Sequence, residues 1–176
     1  MEYFVFGQDM RTSGARTSWD SLPSKLDDRD ELVVELDDPV ARGDIAPQAG
    51  ANALGDIISG AFSLYSTRLC DALTAFGITL NTKPVSVILA EDAGEVGGYH
   101  WVLGLADIEM DVEDDELECF TLDEQDCEGL SFFDLNHRLR IVDARLKEHL
   151  EAYQLEGVFV VPTQEFGGQL KMALCY

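Results

Sequence analysis

Basic residues are scarce in this chain, and over one long stretch they are missing altogether. Between Lys83 and Arg138 there is no lysine or arginine, while sixteen aspartates and glutamates fall there. Over all 176 residues, 12 Lys and Arg stand against 34 Asp and Glu, a formal net charge of −22. A surface of that sign repels phosphate backbones and anionic headgroups, so neither nucleic acid nor a membrane is an expected partner. It attracts a cationic protein surface instead. Also missing is any run approaching the roughly 20 apolar residues that span a bilayer. The four cysteines, Cys70, Cys119, Cys127 and Cys175, form no C-x-x-C pair. That spacing argues against zinc or thioredoxin-type sites and for free thiols. The opening Met-Glu-Tyr-Phe-Val-Phe-Gly lacks a basic region followed by a long apolar stretch, so the expected compartment is the cytoplasm.

Signatures of catalysis are absent as well. There is no G-x-S-x-G elbow and no family-type active-site cysteine, and Gly97-Gly98 and Gly167-Gly168 lack the continuation of a phosphate-binding loop. His100, His137 and His149 stand singly, and a lone histidine is more often structural than basic in a mechanism. A small enzyme, if there were one, would be built around His100 with Glu95 and Tyr99. Asp107, Glu109, Asp111, Glu113, Asp115 and Glu118 do fall at positions 1, 3, 5, 7, 9 and 12 of a calcium loop. However, Val112 stands where the sharp turn demands glycine, Asp114 where an apolar anchor belongs, and the preceding residues look like strand. The expectation is therefore a non-enzymatic protein with no cofactor and no metal.

What is present is enough apolar sequence, 46% of the chain, to bury a core in one domain without disulfides. A short β-type run covers Tyr3 to Phe6 and stops at Gly7, and an edge strand fits Glu31 to Leu36. Residues 1–48 are otherwise the less regular part, and 49–176 the main body. Ser66 is a good N-cap for a helix carrying Leu69, Leu73 and Phe76 on one face, with Gly77 placed for a left-handed C-cap. Lys83 to Ala90 follows as a buried strand, Glu91 to Gly94 as a turn, and Tyr99 to Met110 as the antiparallel return, with Gly97-Gly98 marking a bulge. Asp107 to Glu128 suggests a strand end, a loop and a short amphipathic piece. Arg138 to Val142 is a further strand, Asp143 a second N-cap before Leu146, Leu150 and Tyr153, and Leu155 to Val161 a last strand.

Ser66 to Ile78 aligns without gaps on Asp143 to Leu155, matching Arg68 with Arg145, Leu69 with Leu146, Leu73 with Leu150, Ala75 with Ala152 and Phe76 with Tyr153. Either amphipathic helices simply resemble one another, or two related cap-helix-strand units pack on a common antiparallel sheet. Both readings give a single α+β domain with a mostly antiparallel sheet and two helix-strand units packed against it.

Several segments together carry a family pattern: the opening Tyr-Phe-Val-Phe strand, Ser13, Gly14, Ser18, Trp19, Leu22 and Pro23, the helix at Ser66 to Gly77, Gly97 to Asp107, and Arg140 to Val161. In these the chain resembles a bacterial immunity-protein family of polymorphic toxin systems, the family numbered eleven, formerly a domain of unknown function. The resemblance implies a cytoplasmic antidote without catalytic residues that binds and neutralises a cognate toxin domain. The charge of this chain points to a basic toxin, for instance a nuclease. From charge alone the partner-binding residues are expected to be Asp111, Glu113, Asp114, Asp115, Glu116, Glu118, Glu124 and Asp126. An acidic DNA mimic and a protease inhibitor are the alternatives that the same charge allows.

Overall fold

The computed structural model describes residues 1–11, 15–17, 32–36, 54–89, 95–110, 118–127, 129–168, 170 and 171. Among them the strands β1 (Tyr3–Gln8), β2 (Arg16–Thr17), β3 (Leu32–Leu36), β4 (Ile57–Gly60) and β5 (Ser63–Ser66) lead into helix α1 (Thr67–Phe76). Strands β6 (Asn81–Leu89), β7 (Glu95–Gly104), β8 (Asp107–Ile108), β9 (Phe132–Leu135) and β10 (Leu139–Asp143) then lead into helix α2 (Ala144–Glu151) and β11 (Val158–Pro162). The result is an α+β domain whose mostly antiparallel strands divide between two sheets. Their orders are β11-β1-β10-β9-β8 and β2-β4-β5-β7-β6-β3.

Both helices begin where the side chains require. Ser66 accepts from the Leu69 N–H and Asp143 from the Leu146 N–H, while Gly77 closes α1 at φ +102°. Leu69, Leu73, Leu146 and Leu150 are buried together with Phe4, Phe6, Ile57, Tyr65, Val102, Phe132 and Val142. One central core thus draws on both helices and both sheets. Each fully buried leucine contributes about 2 kcal/mol from removal of its surface from water. The alternate residues of the strands feed two further cores: Tyr3, Val5, Phe133 and Ile141 on the far face of the first sheet, Ile58, Leu64, Val85 and Tyr99 on that of the second. The middle of each sheet is therefore buried on both faces, which is why β1 reads as a nearly continuous apolar run.

The helical likeness is the visible part of a longer correspondence. The run β1-β2-β4-β5-α1-β6 is matched in order by β7-β8-β9-β10-α2-β11. When the two N-caps are superposed by register, Tyr3 matches Tyr99, since Tyr3 lies opposite Asp143 and Tyr99 opposite Ser66. Pro162, opposite Phe4, then matches Pro84, opposite His100. The parallel pairs match too, Arg16 with Ser59 in one half and Asp107 with Asp134 in the other. The first strand of each run is exchanged: β1 lies between β10 and β11, and β7 between β5 and β6. Two related units are therefore present, each on its own sheet and not on a common one, with their leading strands crossed over.

Some boundaries differ from expectation for local reasons. The first strand continues through Gly7 to Gln8. Gly7 does not end it, because a glycine is what the Phe159 ring requires there: a Cβ would meet Phe159 Cε1 at 2.9 Å. The expected return strand from Tyr99 to Met110 is two pieces, β7 from Glu95 in the second sheet and β8 in the first. The bulge forms as expected, with Val85 opposite Tyr99 and Val87 opposite Val96, and Gly98 adopting φ +87°. The edge strand at Leu32–Leu36 is present, parallel to β6. The turn assigned to Glu91 to Gly94 lies outside the described residues.

Candidate functional site

The carboxylates expected to bind a partner divide at the limit of description. Asp111, Glu113, Asp114, Asp115 and Glu116 lie outside the described residues, whereas Glu118, Glu124 and Asp126 lie within them and are exposed. The segment that carries these three is held from beneath. Leu122 and Cys127 are buried in the core on the far face of the first sheet, with Phe120 and Leu130 packed beside them. Cys119 N–H donates to the Phe166 carbonyl at 2.8 Å, and Leu130 N–H to Cys127 at 2.8 Å. With its apolar side chains spent on the sheet, the segment turns its carboxylates outward. Asp123, which charge reasoning did not single out, is exposed among them and accepts from the Gln125 N–H at 3.0 Å. No helix forms at 118–127; the apolar residues anchor an irregular cover instead.

The ends of the supposed calcium loop have other occupations. Asp107 accepts from the His137 N–H at 2.8 Å and lies 3.1 Å from its Nδ1. Glu118 accepts from the Gly168 N–H at 3.1 Å and pairs with Lys171 at 3.6 Å. Asp107, Glu109 and His137 bring ligand-type atoms within 4.8 Å of one another, but Glu109 and His137 are exposed, and the contacts of Asp107 with His137 already account for the approach.

Buried carboxylates are handled differently: each of three has an arginine partner. Asp9 takes Arg11, at 2.8 and 2.7 Å. Asp56, 2% exposed, takes Arg68 at 3.1 and 2.5 Å, the Ser66 hydroxyl, and the Glu156 N–H at 2.6 Å. Asp143, fully buried, takes Arg145 at 2.9 and 2.7 Å, the Ser131 hydroxyl at 2.8 Å and its helix's Leu146 N–H at 2.8 Å. The hydrogen bonds to Asp56 hold the Arg68 guanidinium above its usual range, as those to Asp143 do for Arg145. In matching places the two halves use Asp56, Ser66, Arg68 and Ser131, Asp143, Arg145, with aspartate and serine interchanged. Arg140 is paired with the half-buried Asp134 at 3.1 Å and lies 5.1 Å from the Tyr65 ring centre.

A cleft of about 450 Å³ opens where the β4–β5 and β9–β10 hairpins face each other. Arg16, His137, Arg138 and Arg140 line it, together with Phe62, Phe159 and Asp134. Asp134 and Tyr65 already engage Arg140, so the lining is partly balanced from within. His100 is not part of this cleft: its Nε2 is 3.1 Å from the Thr67 hydroxyl, which itself donates to the Gly98 carbonyl at 3.0 Å. Tyr99 donates to the Gly55 carbonyl at 2.7 Å, and burial raises its phenol above the ordinary range. The described parts of the His100 group therefore tether α1 to β7. His149 bridges the halves, its Nε2 2.9 Å from the Ala72 carbonyl. Cys70, Cys119 and Cys127 are free thiols, and burial, helped by Asp71, pushes the Cys70 thiol up to about 11.

Among the described residues no helix is long and apolar enough to cross a membrane. The chain matches no protein-family model and no curated protein.

Proposed function

We propose that this protein is a non-catalytic immunity protein, which binds and neutralises a cognate toxin domain of basic surface through its carboxylate-rich face. The observation that carries the reading is the division of charge. Ion pairs within the fold engage Arg11, Arg68, Arg140, Arg145, Lys147 and Lys171, which is half of the chain's twelve Lys and Arg. On the cover above the first sheet Glu118 meets Lys171 and Glu124 meets the Met1 ammonium, while among the described residues Asp123 and Asp126 meet no cation. Such a surface repels itself, and a cationic partner relieves that repulsion on arrival, speeding encounter and rejecting acidic competitors. The family resemblance supports the toxin as that partner, and a cytoplasmic site of action accompanies it.

The test uses the product of the adjacent gene. Changing Asp111, Glu113, Asp114, Asp115, Glu116, Glu124 and Asp126 to their amides is expected to slow association and weaken binding by more than about tenfold at low salt, with a smaller effect at high salt. Binding that is unaltered at both ionic strengths overturns the reading. Displacement of DNA from unrelated basic proteins, without preference for the adjacent product, favours the DNA mimic instead.

A further inference from the structure

Among the described residues the two halves differ at one sheet edge. In the second sheet the outer side of β6 is covered by β3, running parallel with Leu32 opposite Val85 through Leu36 opposite Leu89. In the first sheet the matching strand, β11, is the last one. The chain supplies β3 from the stretch between β2 and β4. The matching stretch, between β8 and β9, is the acidic segment. Its described part does not lie along β11 but crosses beyond the strand's end, where Cys119 bonds Phe166 and Glu118 bonds Gly168.

Two hydrogen bonds fix which groups of β11 point outward. Ala144 N–H donates to the Glu2 carbonyl at 3.0 Å, which turns Glu2, Phe4 and Phe6 towards β10 and leaves Tyr3, Val5 and Gly7 facing β11. Asp9 N–H donates to the Gly157 carbonyl at 2.8 Å, so Phe159 and Val161, opposite Gly7 and Val5, face β1. Val158 and Val160 therefore direct their N–H and C=O groups away from the sheet. Pro162, which has no N–H to leave unpaired, does the same with its carbonyl. Among the described residues no backbone group bonds Val158 or Val160 from that side. A run of Val-Phe-Val-Val-Pro without a charged side chain, whose outward backbone groups meet no backbone partner among the described residues, is a template for another strand.

We propose that the β11 edge receives an extended apolar segment of a cationic partner protein, added parallel to β11 in the place that β3 holds beside β6. The inference rests on the acidic-surface reading for the charge of the partner, and on the β3–β6 pair for the kind of segment. Leu-Val-Val-Glu-Leu in β3 shows what such a slot accepts, and the net charge of −22 favours basic flanks on the incoming strand. A second copy of the chain is a poor occupant, because it brings another −22 charges to the same place. Strand addition of this kind gains affinity from main-chain hydrogen bonds and specificity from alternate side chains.

The probe is a synthetic peptide, KKLVVELKK, which carries the β3 sequence between lysines. On its addition, the amides of Val158 and Val160 are expected to exchange with solvent more slowly, with no change at β3 or in the large cleft. Val160→Pro removes an outward donor at an edge position that tolerates proline, and should weaken the peptide by roughly tenfold. Two peptides N-methylated at alternate residues leave the protein untouched; one of them should fail to bind. Protection elsewhere overturns the proposal, as does equal binding by both methylated peptides, or equal binding of a peptide with aspartate flanks. So does a wild-type dimer that Val160→Pro converts to monomer, since the edge then belongs to a second copy. Against the adjacent gene product, loss of binding in the amide variants but not in Val160→Pro removes strand addition and leaves the acidic reading intact. The opposite pattern removes the acidic reading and keeps the edge.

Discussion

The two halves of the molecule are built from the same run of elements, yet they put their charges to different uses. In the first half a buried aspartate, Asp56, reaches a serine cap, an arginine and the Glu156 amide of the other half. In the second half the aspartate is itself the cap, and its bonds to Ser131, Arg145 and Leu146 stay within that half. The same three side-chain types can thus close a local helix start or stitch two halves together, according to which position holds the carboxylate. A further contrast lies in the inserted stretches, where one half contributes β3 and the other an acidic cover over the first sheet.

The comparison can be broken most strongly at the carboxylates. Asp56→Ala leaves Arg68 and the Glu156 amide without their acceptor and is expected to cost about 3 kcal/mol. Asp143→Ala should cost roughly 2 kcal/mol, mainly a lost cap and a buried hydrogen bond. If the halves are equivalent, the double exchange Asp56→Ser with Ser66→Asp should cost less than the sum of its single changes in chemical denaturation. A strictly additive result would show that the interchange of aspartate and serine is not a like-for-like replacement.

A second contrast is smaller. Gly7 in β1 matches Leu103 in β7, which is 40% exposed. Gly7→Ala drives a methyl into the Phe159 ring and should lower stability by about 1 to 3 kcal/mol. Leu103→Ala should change it by less than about 0.5 kcal/mol. Thermal unfolding of the two variants side by side checks the difference.

The third contrast concerns pH. At the helix position where α1 has Cys70, α2 has Lys147, whose ammonium lies 5.3 Å from the Phe4 ring centre. Burial raises the Cys70 thiol from its ordinary value of 9 to about 11, so the folded state keeps a proton that the unfolded chain gives up. Its contribution is fully present below pH 9 and is lost as pH rises towards 11. The melting temperature should begin to fall above pH 9, and Cys70→Ala should flatten that first part of the decline, before the buried tyrosines act.

Much of this was legible in the sequence, and the remainder was hidden for definite reasons. Ser66, Gly77 and Asp143 announce their helices because capping is local chemistry. Pro84 and Pro162, and Tyr3 and Tyr99, carry the rest of the duplication, but stretches of different length separate them, and the exchange of β1 and β7 leaves no trace in local pattern. Asp56 and Arg68 stand on either side of the β4–β5 hairpin, 12 positions apart in the chain, so only the fold pairs them. Among the expected binding residues, the exposure of Glu118, Glu124 and Asp126 follows from the apolar anchors Leu122 and Cys127 beside them. That β11 ends its sheet among the described residues could not be read from its apolar composition, since buried and edge strands share that composition; the contrast with β3 beside β6 is what reveals it.

The exchanged strands also order events during synthesis. Residues 3–8 are made well before their neighbours β10 and β11, so this strand must wait for Pro162 to be flanked on both sides. At about 5–20 residues per second the delay is on the order of ten seconds. Until then Tyr3, Phe4, Val5 and Phe6 lack the two strands that flank them, which leaves apolar surface open to aggregation.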